Sequence, residues 1–365
     1  MKPDLSVTFT GLKFTNPFLL SSAPPTESES NIMRAFDAGW GGVVTKTIGL
    51  HPVANVAGPK TKFLRTTLDG RLSMQKKPDT ALHSSWNWEL ISDKPLDWWA
   101  PKIAAIKKAY PDRMLIASIM AGSGSDKELS HWQTLAKTCQ DEGADAFELN
   151  LSCPHMDRKD MGSNIGKDQE QVSIVTEVVK EVAKVPVWCK LTPSTTDIVD
   201  EARAAFNGGA DAIVSSNTFP SLPLIDPETL DFEMNVDGLV SSGGLGGPAI
   251  LPQSLAKMAS LTKAFPDRAF SGIGGIAEFA HALNYFLLGC GTVQVCTAAM
   301  LDRAIGPTVI KGLIEGMEQF MEKRGYQSLE DFRGLRRGNV VVHSAIRRPD
   351  GKEYHGGHEA EGYAV

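Results

Sequence analysis

Short apolar runs alternate with longer amphipathic segments along most of this chain. The short runs predict buried β-strands, and segments with apolar residues every three or four positions predict helices. The predicted strands cover residues 18–22, 42–46, 115–120, 146–150, 185–190, 212–216, 269–272 and 292–296. The predicted helices cover residues 31–38, 101–110, 127–142, 168–184, 196–207, 251–265, 278–288 and 307–324.

This regular alternation of strands and helices is typical of an α/β fold with a parallel sheet. Gly-containing turns at 37–41, 142–145 and 208–211 recur where a helix leads into the next strand, as helix C-caps do. We therefore predict a (β/α)8 TIM barrel over residues 1–332, followed by a C-terminal extension, 333–365. A doubly wound open sheet is the alternative.

Three long segments interrupt the pattern, each after a predicted strand: 47–100, 151–167 and 217–250. In a barrel these insertions lie at the C-terminal face, where active sites are built. The first insertion is rich in tryptophan, including Trp86 and Trp88. We interpret these aromatic residues as the core of the insertion or a subunit contact, in preference to a surface that stacks on a ligand.

Composition narrows the function classes. The chain has 365 residues and a net charge of -6, so it offers no basic surface for nucleic acid or acidic membranes. It has no apolar run of the roughly 18 residues that span a bilayer and no signal-peptide core, which predicts a cytoplasmic protein. Its five cysteines, at 139, 153, 189, 290 and 296, form no Cys-x-x-Cys motif. We expect neither disulfides nor an iron–sulfur, zinc or other metal site built by this chain alone.

Polar residues end several of the apolar runs. Lys46, Asn150 and Lys190 close the second, fourth and fifth predicted strands, and Asn217 with Thr218 follows the sixth. A single lysine there is often only a solvated strand end. Two lysines and two asparagines at one rim instead favour a polar site that stabilises an anion.

Glycine-rich segments follow the later strands. They occupy 242–248 and 272–276, and 294–298 follows the eighth strand. Backbone N–H groups at glycines can close on phosphate oxygens, and barrels bind phosphate after their seventh and eighth strands. No dinucleotide fingerprint is present in either segment.

The segment 148–155, Glu-Leu-Asn-Leu-Ser-Cys-Pro-His, carries the strongest chemical signal. Pro154 ends regular structure, so Cys153 should lie in a loop just past the fourth strand. An isolated cysteine is more often structural than catalytic. A thiol with a reference pKa of about 8.5 can nevertheless give or take a proton near neutrality.

Several motifs in this order resemble the FMN-binding pyrimidine domain of dihydropyrimidine dehydrogenases, relatives of the dihydroorotate dehydrogenases. They are 45–47, 87–94, 116–120, 148–155, 190–193, 217–218, 243–247 and 294–296. The likeness covers about residues 5–335. His155 stands where the dihydroorotate branch characteristically has Asn.

The resemblance implies an FMN-dependent enzyme that moves a hydride between flavin N5 and C6 of uracil or thymine. Cys153 would be the acid/base at C5, and Lys190 would stabilise the reduced flavin at its N1/O2 edge. The implied substrate-binding residues are Asn150, Ser152, His155, Asn217 and Thr218. The implied cofactor-binding residues are Ala23, Lys46, Thr47, Asn150, Lys190, Ser216, Gly243, Gly244, Gly274, Gly275, Cys296 and Thr297.

Two features depart from the family pattern. The loop at 121–126 lacks the usual substrate-binding Asn, so that contact is missing or is supplied by Ser123 or Ser125. A related cyclic amide is therefore the alternative substrate. The chain also lacks the cysteine cluster and dinucleotide motif that would deliver electrons. Either a separate FAD/iron–sulfur NAD(P)H reductase subunit docks, or a soluble donor enters the same site.

Other readings stay open at this point. The extension 333–365 is interpreted as a flexible or dimer-swapped tail, or else as the docking element. A homodimer is expected. The first alternative function is dihydroorotate oxidation, for which Lys46 would bind the substrate carboxylate. The second is a non-catalytic flavin-binding partner subunit.

Overall fold

The computed structural model describes residues 3–66, 72–75, 83–156 and 158–346. Strands and helices are numbered along the chain. The strands are β1 (Val7–Phe9), β2 (Leu12–Phe14), β3 (Phe18–Leu20), β4 (Gly42–Val44), β5 (Thr61–Thr66), β6 (Leu72–Gln75), β7 (Ser84–Asn87), β8 (Met114–Ile119), β9 (Ala146–Leu151), β10 (Val187–Leu191), β11 (Ala212–Ser215), β12 (Phe219–Ser221), β13 (Gly243–Gly246), β14 (Ala269–Ile273) and β15 (Thr292–Val295). The helices are α1 (Glu29–Ala38), α2 (Leu96–Ala109), α3 (Asp126–Asp141), α4 (Gln169–Lys180), α5 (Ile198–Asn207), α6 (Leu251–Ala264), α7 (Phe279–Leu288), α8 (Thr297–Leu301) and α9 (Pro307–Arg324).

Eight parallel strands form a closed barrel. In chain order they are β3, β4, β8, β9, β10, β11, β14 and β15, and β15 pairs with β3 to close the ring. Each strand overlaps one of the eight predicted runs. The predicted TIM barrel is confirmed, and the alternative of an open sheet is wrong.

The helices between the strands also follow the prediction. Ser28, Ser125 and Asp168 cap the N-termini of α1, α3 and α4 through their side-chain oxygens. The largest differences are at α2, which begins at Leu96, five residues before the predicted start at Pro101, and at α4, which ends at Lys180, four residues before the predicted end at 184. Leu96 and Trp99 are buried in the added turn, so Pro101 lies inside the helix and is not its first residue.

A short hairpin, β1–β2, packs under the barrel. Its Phe9 ring lies 5.1 Å from the Trp188 ring, and the Trp188 indole N–H donates to Thr10 Oγ1 at 3.0 Å. Trp188 lies near the start of β10, so the hairpin covers the N-terminal end of the barrel and leaves the opposite end for the insertions.

The first and third insertions form a second sheet that the sequence did not predict. Its five strands are antiparallel neighbours in the order β12-β13-β7-β5-β6. The ring centroids of Trp86 and Trp88 lie 5.5 Å apart, and the two side chains form a small core with Met234. The interpretation of these tryptophans as the core of the insertion is therefore confirmed.

The start of the C-terminal extension packs on the barrel. The backbone N–H groups of Gly334 and Arg336 donate to the carbonyls of Phe286 and Leu287, at the end of α7. Residues 347–365 lie outside the described residues, and the division at 332/333 stays a prediction. Within the described part of the chain, no helix is long and apolar enough to cross a membrane.

Candidate active site

A deep cleft opens at the C-terminal ends of the barrel strands, beneath the inserted sheet. It encloses about 960 Å³ of empty space, part of it open to solvent. Strand ends supply Ser21, Lys46, Lys190 and Gln294, and the inserted sheet supplies Asn87. This is the face at which barrels of this type place their active sites.

Most of the residues singled out from the sequence line this one cleft. They are Ala23, Lys46, Thr47, Asn150, Cys153, His155, Lys190, Ser216, Asn217, Thr218, Gly274, Gly275, Cys296 and Thr297. Their convergence follows from the parallel barrel, because the carboxyl ends of all eight strands meet at one rim. Their individual roles are not tested by this placement.

Ser152 does not line the cleft but connects two residues that do. Asn217 Nδ2 donates to Ser152 Oγ at 2.9 Å, and Ser152 Oγ donates to Asn150 Oδ1 at 3.0 Å. Asn150 Nδ2 in turn donates to Thr47 Oγ1 at 2.9 Å. The chain of hydrogen bonds fixes how both amides are turned, so Ser152 positions the polar wall of the cleft from behind.

Gly243 and Gly244 also lie off the cleft, within β13. A Cβ on Gly243 would collide with the Trp86 ring, and one on Gly244 would collide with Thr218. These glycines let the inserted sheet approach the barrel closely. The neighbouring Gly246 and Gly247 line the cleft instead, and the cofactor role of Gly243 and Gly244 stays a prediction.

The two cleft lysines are each paired with a carboxylate that the sequence reasoning missed. Lys46 Nζ lies 2.9 Å from Glu89 Oε2, and Lys190 Nζ lies 3.3 Å from Glu148 Oε1. The Glu148 side chain is completely buried. A charged residue inside the apolar run 146–150 was the available signal for Glu148, because such a group needs a partner.

Gln294, Asn87 and Glu89 were missed for different reasons. Gln294 interrupts an apolar strand, a signal of the same kind as Glu148. Asn87 and Glu89 come from the insertion whose strands were not predicted, although both lie in the quoted motif at 87–94. Asn87 Nδ2 donates to the Gly244 carbonyl at 3.3 Å, which ties this third cleft asparagine to the inserted sheet.

The serines of the loop after the third barrel strand do not line the cleft in the described structure. Ser125 Oγ is the N-cap of α3 and accepts from the Glu128 N–H. Ser123 bonds through its backbone N–H to the Asp160 carbonyl at 3.0 Å. Neither serine lines the cleft, so the expectation that one of them replaces the usual Asn is not supported. Their hydrogen-bonding capacity is used to hold loops together.

Cys153 and His155 lie in the loop after β9. Burial raises the pKa of the Cys153 thiol, opposed by the His155 backbone N–H and the charge of Lys46. Burial lowers the pKa of His155 against the smaller effects of the Ser242 backbone and Glu89. The cleft therefore holds a protonated thiol and a neutral imidazole near neutral pH.

Some buried polar atoms in the cleft make no hydrogen bond in the described structure. Ser216 Oγ and Gln294 Oε1 are buried without a hydrogen-bond partner in the described structure, and both residues line the cleft. Unpaired polar groups of this kind are costly unless a ligand satisfies them. In the adjoining loop after β14, Gly274 and Gly275 have φ values of 123° and 81°. The residues fit a bound group with a polar ring at the strand ends and an anion at the glycines.

The glycine rim gives a first prediction. A Cβ on Gly275 would lie 2.5 Å from Leu251 Cβ and 2.8 Å from its Cα, at a φ that side chains rarely adopt. We expect Gly275→Ala to lower the free energy of unfolding by about 2 kcal/mol or more. The matched control is Gly312→Ala in α9, where a Cβ meets nothing within 4 Å and helix propensity predicts a small gain. Equal denaturant midpoints for the two variants would contradict this account.

Comparison with known proteins shows the family of this chain. The family model for dihydroorotate dehydrogenase matches residues 91–321. The chain is 39% identical to the chloroplastic dihydropyrimidine dehydrogenase (NADP(+)) of Arabidopsis thaliana over 342 residues, covering 91% of this chain and 77% of that protein.

Two prokaryotic relatives span similar lengths. The NAD-dependent dihydropyrimidine dehydrogenase subunit PreA of Escherichia coli K12 is 36% identical, covering 93% of this chain and 78% of the relative. The catalytic subunit of dihydroorotate dehydrogenase B (NAD(+)) of Thermococcus kodakarensis is 32% identical, covering 91% and 97%. With this coverage, the chain belongs to the dihydroorotate dehydrogenase family and is an oxidoreductase.

Proposed function

We propose that this enzyme interconverts a neutral pyrimidine base, uracil or thymine, with its 5,6-dihydro form, using FMN. The observation that carries the proposal is the charge balance of the cleft. Two relatives named as dihydropyrimidine dehydrogenases, at 39% and 36% identity, support the same substrate class.

The charge balance argues against a carboxylated substrate. Among the described residues that line the cleft, the lysines are Lys46 and Lys190, and each is paired with a buried or mostly buried carboxylate. The lowered pKa of His155 keeps its ring neutral. A buried carboxylate without an unpaired cation is costly. Dihydroorotate would have to compete with Glu89 for Lys46, whereas a neutral imide needs only hydrogen bonds.

FMN supplies hydride-transfer chemistry when it is bound. Ser216, Gln294 and Lys190 would satisfy the polar edge of its ring, since two of them carry buried unpaired atoms and the third a buried cation. The flavin ring would be lined by Ala23, Lys46, Thr47 and Asn150. The phosphate would be bound by Gly274, Gly275, Cys296 and Thr297, with Gly246 and Gly247 beside them.

The asparagines orient the substrate in this proposal. Asn150 and Asn217 are held by Ser152, and Thr218 is held by the Asn217 carbonyl oxygen, which accepts the Thr218 N–H at 2.7 Å. Fixed amides and hydroxyls suit a planar ring with alternating N–H and C=O groups. Asn87, from the inserted sheet, adds a third amide that can take over a contact absent from the loop at 121–126.

Cys153 handles the proton in this proposal. Its thiol donates to C5 of the pyrimidine during reduction, and the thiolate takes the proton back during oxidation. Cys153 is only 4% exposed, so its thiol is shielded from bulk water.

The raised pKa of Cys153 predicts a pH dependence. The thiol form persists through neutral pH, so the rate of pyrimidine reduction should stay level there and fall only as the pH rises through the raised pKa. The rate of dihydropyrimidine oxidation should rise over the same range. Lys46 lowers this pKa. In Lys46→Met, the fall of the reduction rate and the rise of the oxidation rate should therefore both move to higher pH. Stopped-flow rates of the two half-reactions, measured against pH, test this dependence. Rate changes that occur at the same pH in Lys46→Met as in the wild type would contradict the assignment.

Electrons would reach the cleft from a second protein in this proposal. A relative is named as a subunit of an NAD-dependent enzyme and another as a catalytic subunit. We therefore extend the proposal to a separate FAD/iron–sulfur NAD(P)H reductase subunit as the electron partner. Co-purification of a reductase that reduces the bound flavin with NADH or NADPH would support it, and efficient direct reduction of the isolated chain would contradict it.

Bleaching of the flavin bands tests the substrate. Under anaerobic conditions, dihydrouracil or dihydrothymine should bleach the oxidised holoprotein, and dihydroorotate should not. Glu89→Gln frees the Lys46 cation. This variant should reduce the difference between the rates at which dihydrouracil and dihydroorotate bleach the flavin. Rapid bleaching of the wild-type protein by dihydroorotate alone would assign it instead to dihydroorotate oxidation, and a chain that takes up no flavin would overturn the proposal.

A further inference from the structure

Glu148 is a buried carboxylate that the proposed chemistry does not use. Its side chain is 0% exposed, and it lies in β9, inside the barrel. Oε1 lies 3.3 Å from Lys190 Nζ, and Oε2 accepts a hydrogen bond from Gln294 Nε2 at 2.8 Å. Lys190 and Gln294 line the cleft and Glu148 does not. Among the described residues, Glu148 therefore acts on the cleft through these two side chains.

The contact with Glu148 decides how the Gln294 amide is turned. An ionised carboxylate only accepts hydrogen bonds, so the NH2 group of Gln294 must face it and the carbonyl oxygen must face away. That oxygen is buried and has no partner in the described structure, and Gln294 is only 1% exposed. Leaving such an acceptor unpaired costs free energy comparable to a lost hydrogen bond. The geometry calls for an N–H donor in the cleft.

The same carboxylate holds the Lys190 ammonium. Lys190 is 4% exposed, and besides Glu148 its Nζ has Ser21 Oγ at 3.5 Å. Glu148 thus fixes one hydrogen-bond acceptor, Gln294 Oε1, and one cationic donor, Lys190 Nζ, on two strands of one barrel. An acceptor beside a cationic donor is complementary to a cyclic imide edge, in which an N–H adjoins a carbonyl oxygen.

We infer that Gln294 accepts the imide N–H of the bound ring and that Glu148 is the positioning residue that sets this contact. The inference rests on the proposed function, which supplies two sources of an imide, the flavin and the pyrimidine. Gln294 lies next to the Cys296–Thr297 end of the cleft, so the flavin is the expected source.

A methylated cofactor tests the contact without measuring turnover. FMN carrying a methyl group on N3 cannot donate from that position. The full chain, freed of flavin and titrated by fluorescence, should bind FMN at least about tenfold more tightly than the methylated analogue. Gln294→Leu should reduce this ratio to near one by weakening FMN alone.

Variants at Glu148 test the positioning role. Glu148→Gln is nearly isosteric, but its amide can donate as well as accept, so Gln294 is free to turn and the ratio should fall. Glu148→Asp retains the carboxylate and should recover part of the ratio. Ser85→Ala is the matched control, because Ser85 lines the cleft outside this network, bonded to Thr297 at 2.9 Å. Ser85→Ala should weaken both flavins equally.

A parallel titration of the holoprotein with uracil and N3-methyluracil separates the two sources. The ratio compared is the affinity for each unmethylated ring over that for its N3-methylated form. If Gln294→Leu abolishes this ratio for the pyrimidines and not for the flavins, Gln294 contacts the substrate. Ratios unchanged by both Gln294→Leu and Glu148→Gln in a flavin-binding chain overturn this inference alone. If Gln294→Leu does not fold, Glu148→Gln decides. A wild-type chain that binds neither ring overturns the proposed function together with this inference.

Discussion

Cys153→Ala is expected to keep its flavin and lose the reaction. The side chain is small and lies in a loop, so its removal leaves a limited cavity and the fold should tolerate it. Proton transfer by a positioned side chain is worth about 10²–10⁴ in rate. We expect the rate at which uracil reoxidises the reduced holoprotein to fall by roughly that factor. Stopped-flow absorbance under anaerobic conditions measures it directly.

The matched control for Cys153→Ala is Cys296→Ala, which removes the other cysteine that lines the cleft. Cys296 Sγ contacts Met300 Sδ at 3.9 Å, and no proton transfer is assigned to it. Its loss should affect flavin affinity more than the rate of reoxidation. A Cys153→Ala variant that reoxidises with uracil as fast as the wild type would show that another group supplies the proton.

The largest expected loss of stability is that of Lys190→Met. It leaves the Glu148 carboxylate 0% exposed and without its cation. Breaking a buried pair in this way typically costs about 3–5 kcal/mol, because an uncompensated charge stays in the interior. Denaturant unfolding of the flavin-free chain should show this loss. The double variant Lys190→Met/Glu148→Gln should recover much of it, since the stranded charge is then gone.

A second ion pair provides the control for Lys190→Met. Lys180 and Asp211 lie 2.9 Å apart, but their side chains are 31% and 36% exposed. Lys180→Met should therefore cost no more than about 1 kcal/mol. Equal losses for Lys180→Met and Lys190→Met would mean that burial of Glu148 is not what makes the cleft pair important.

The barrel could be predicted because its signal is local and repeated. Each strand is a short apolar run, and each helix has an apolar face, so the order of elements fixed the fold class. The convergence of the predicted residues on one cleft followed from that fold, because strand ends of a parallel barrel share a rim. The exceptions lie off the cleft. Ser152 holds Asn150 and Asn217 through side-chain hydrogen bonds, and Gly243 and Gly244 allow β13 to pack closely, which motif matching does not distinguish from ligand contacts.

The inserted sheet could not be predicted in the same way. Its strand β13 is Gly-Gly-Leu-Gly, a sequence with no strand propensity, and it pairs with β7 from a distant insertion. Asn87 and Glu89 enter the cleft only because of that long-range pairing. Glu148 was within reach of sequence reasoning, since it is two residues before Asn150 and so shares its face of the strand. Its pairing with Lys190 and Gln294 required the closed barrel.

One single-turnover experiment tests the central claim most directly. The flavin-containing protein is photoreduced without oxygen, mixed with one equivalent of uracil, thymine or orotate, and the flavin spectrum and the pyrimidine product are both recorded. We expect uracil or thymine to restore the oxidised spectrum and to yield an equal amount of the dihydropyrimidine, while orotate leaves the flavin reduced. Reoxidation by orotate alone, or reoxidation without a dihydropyrimidine product, would contradict it.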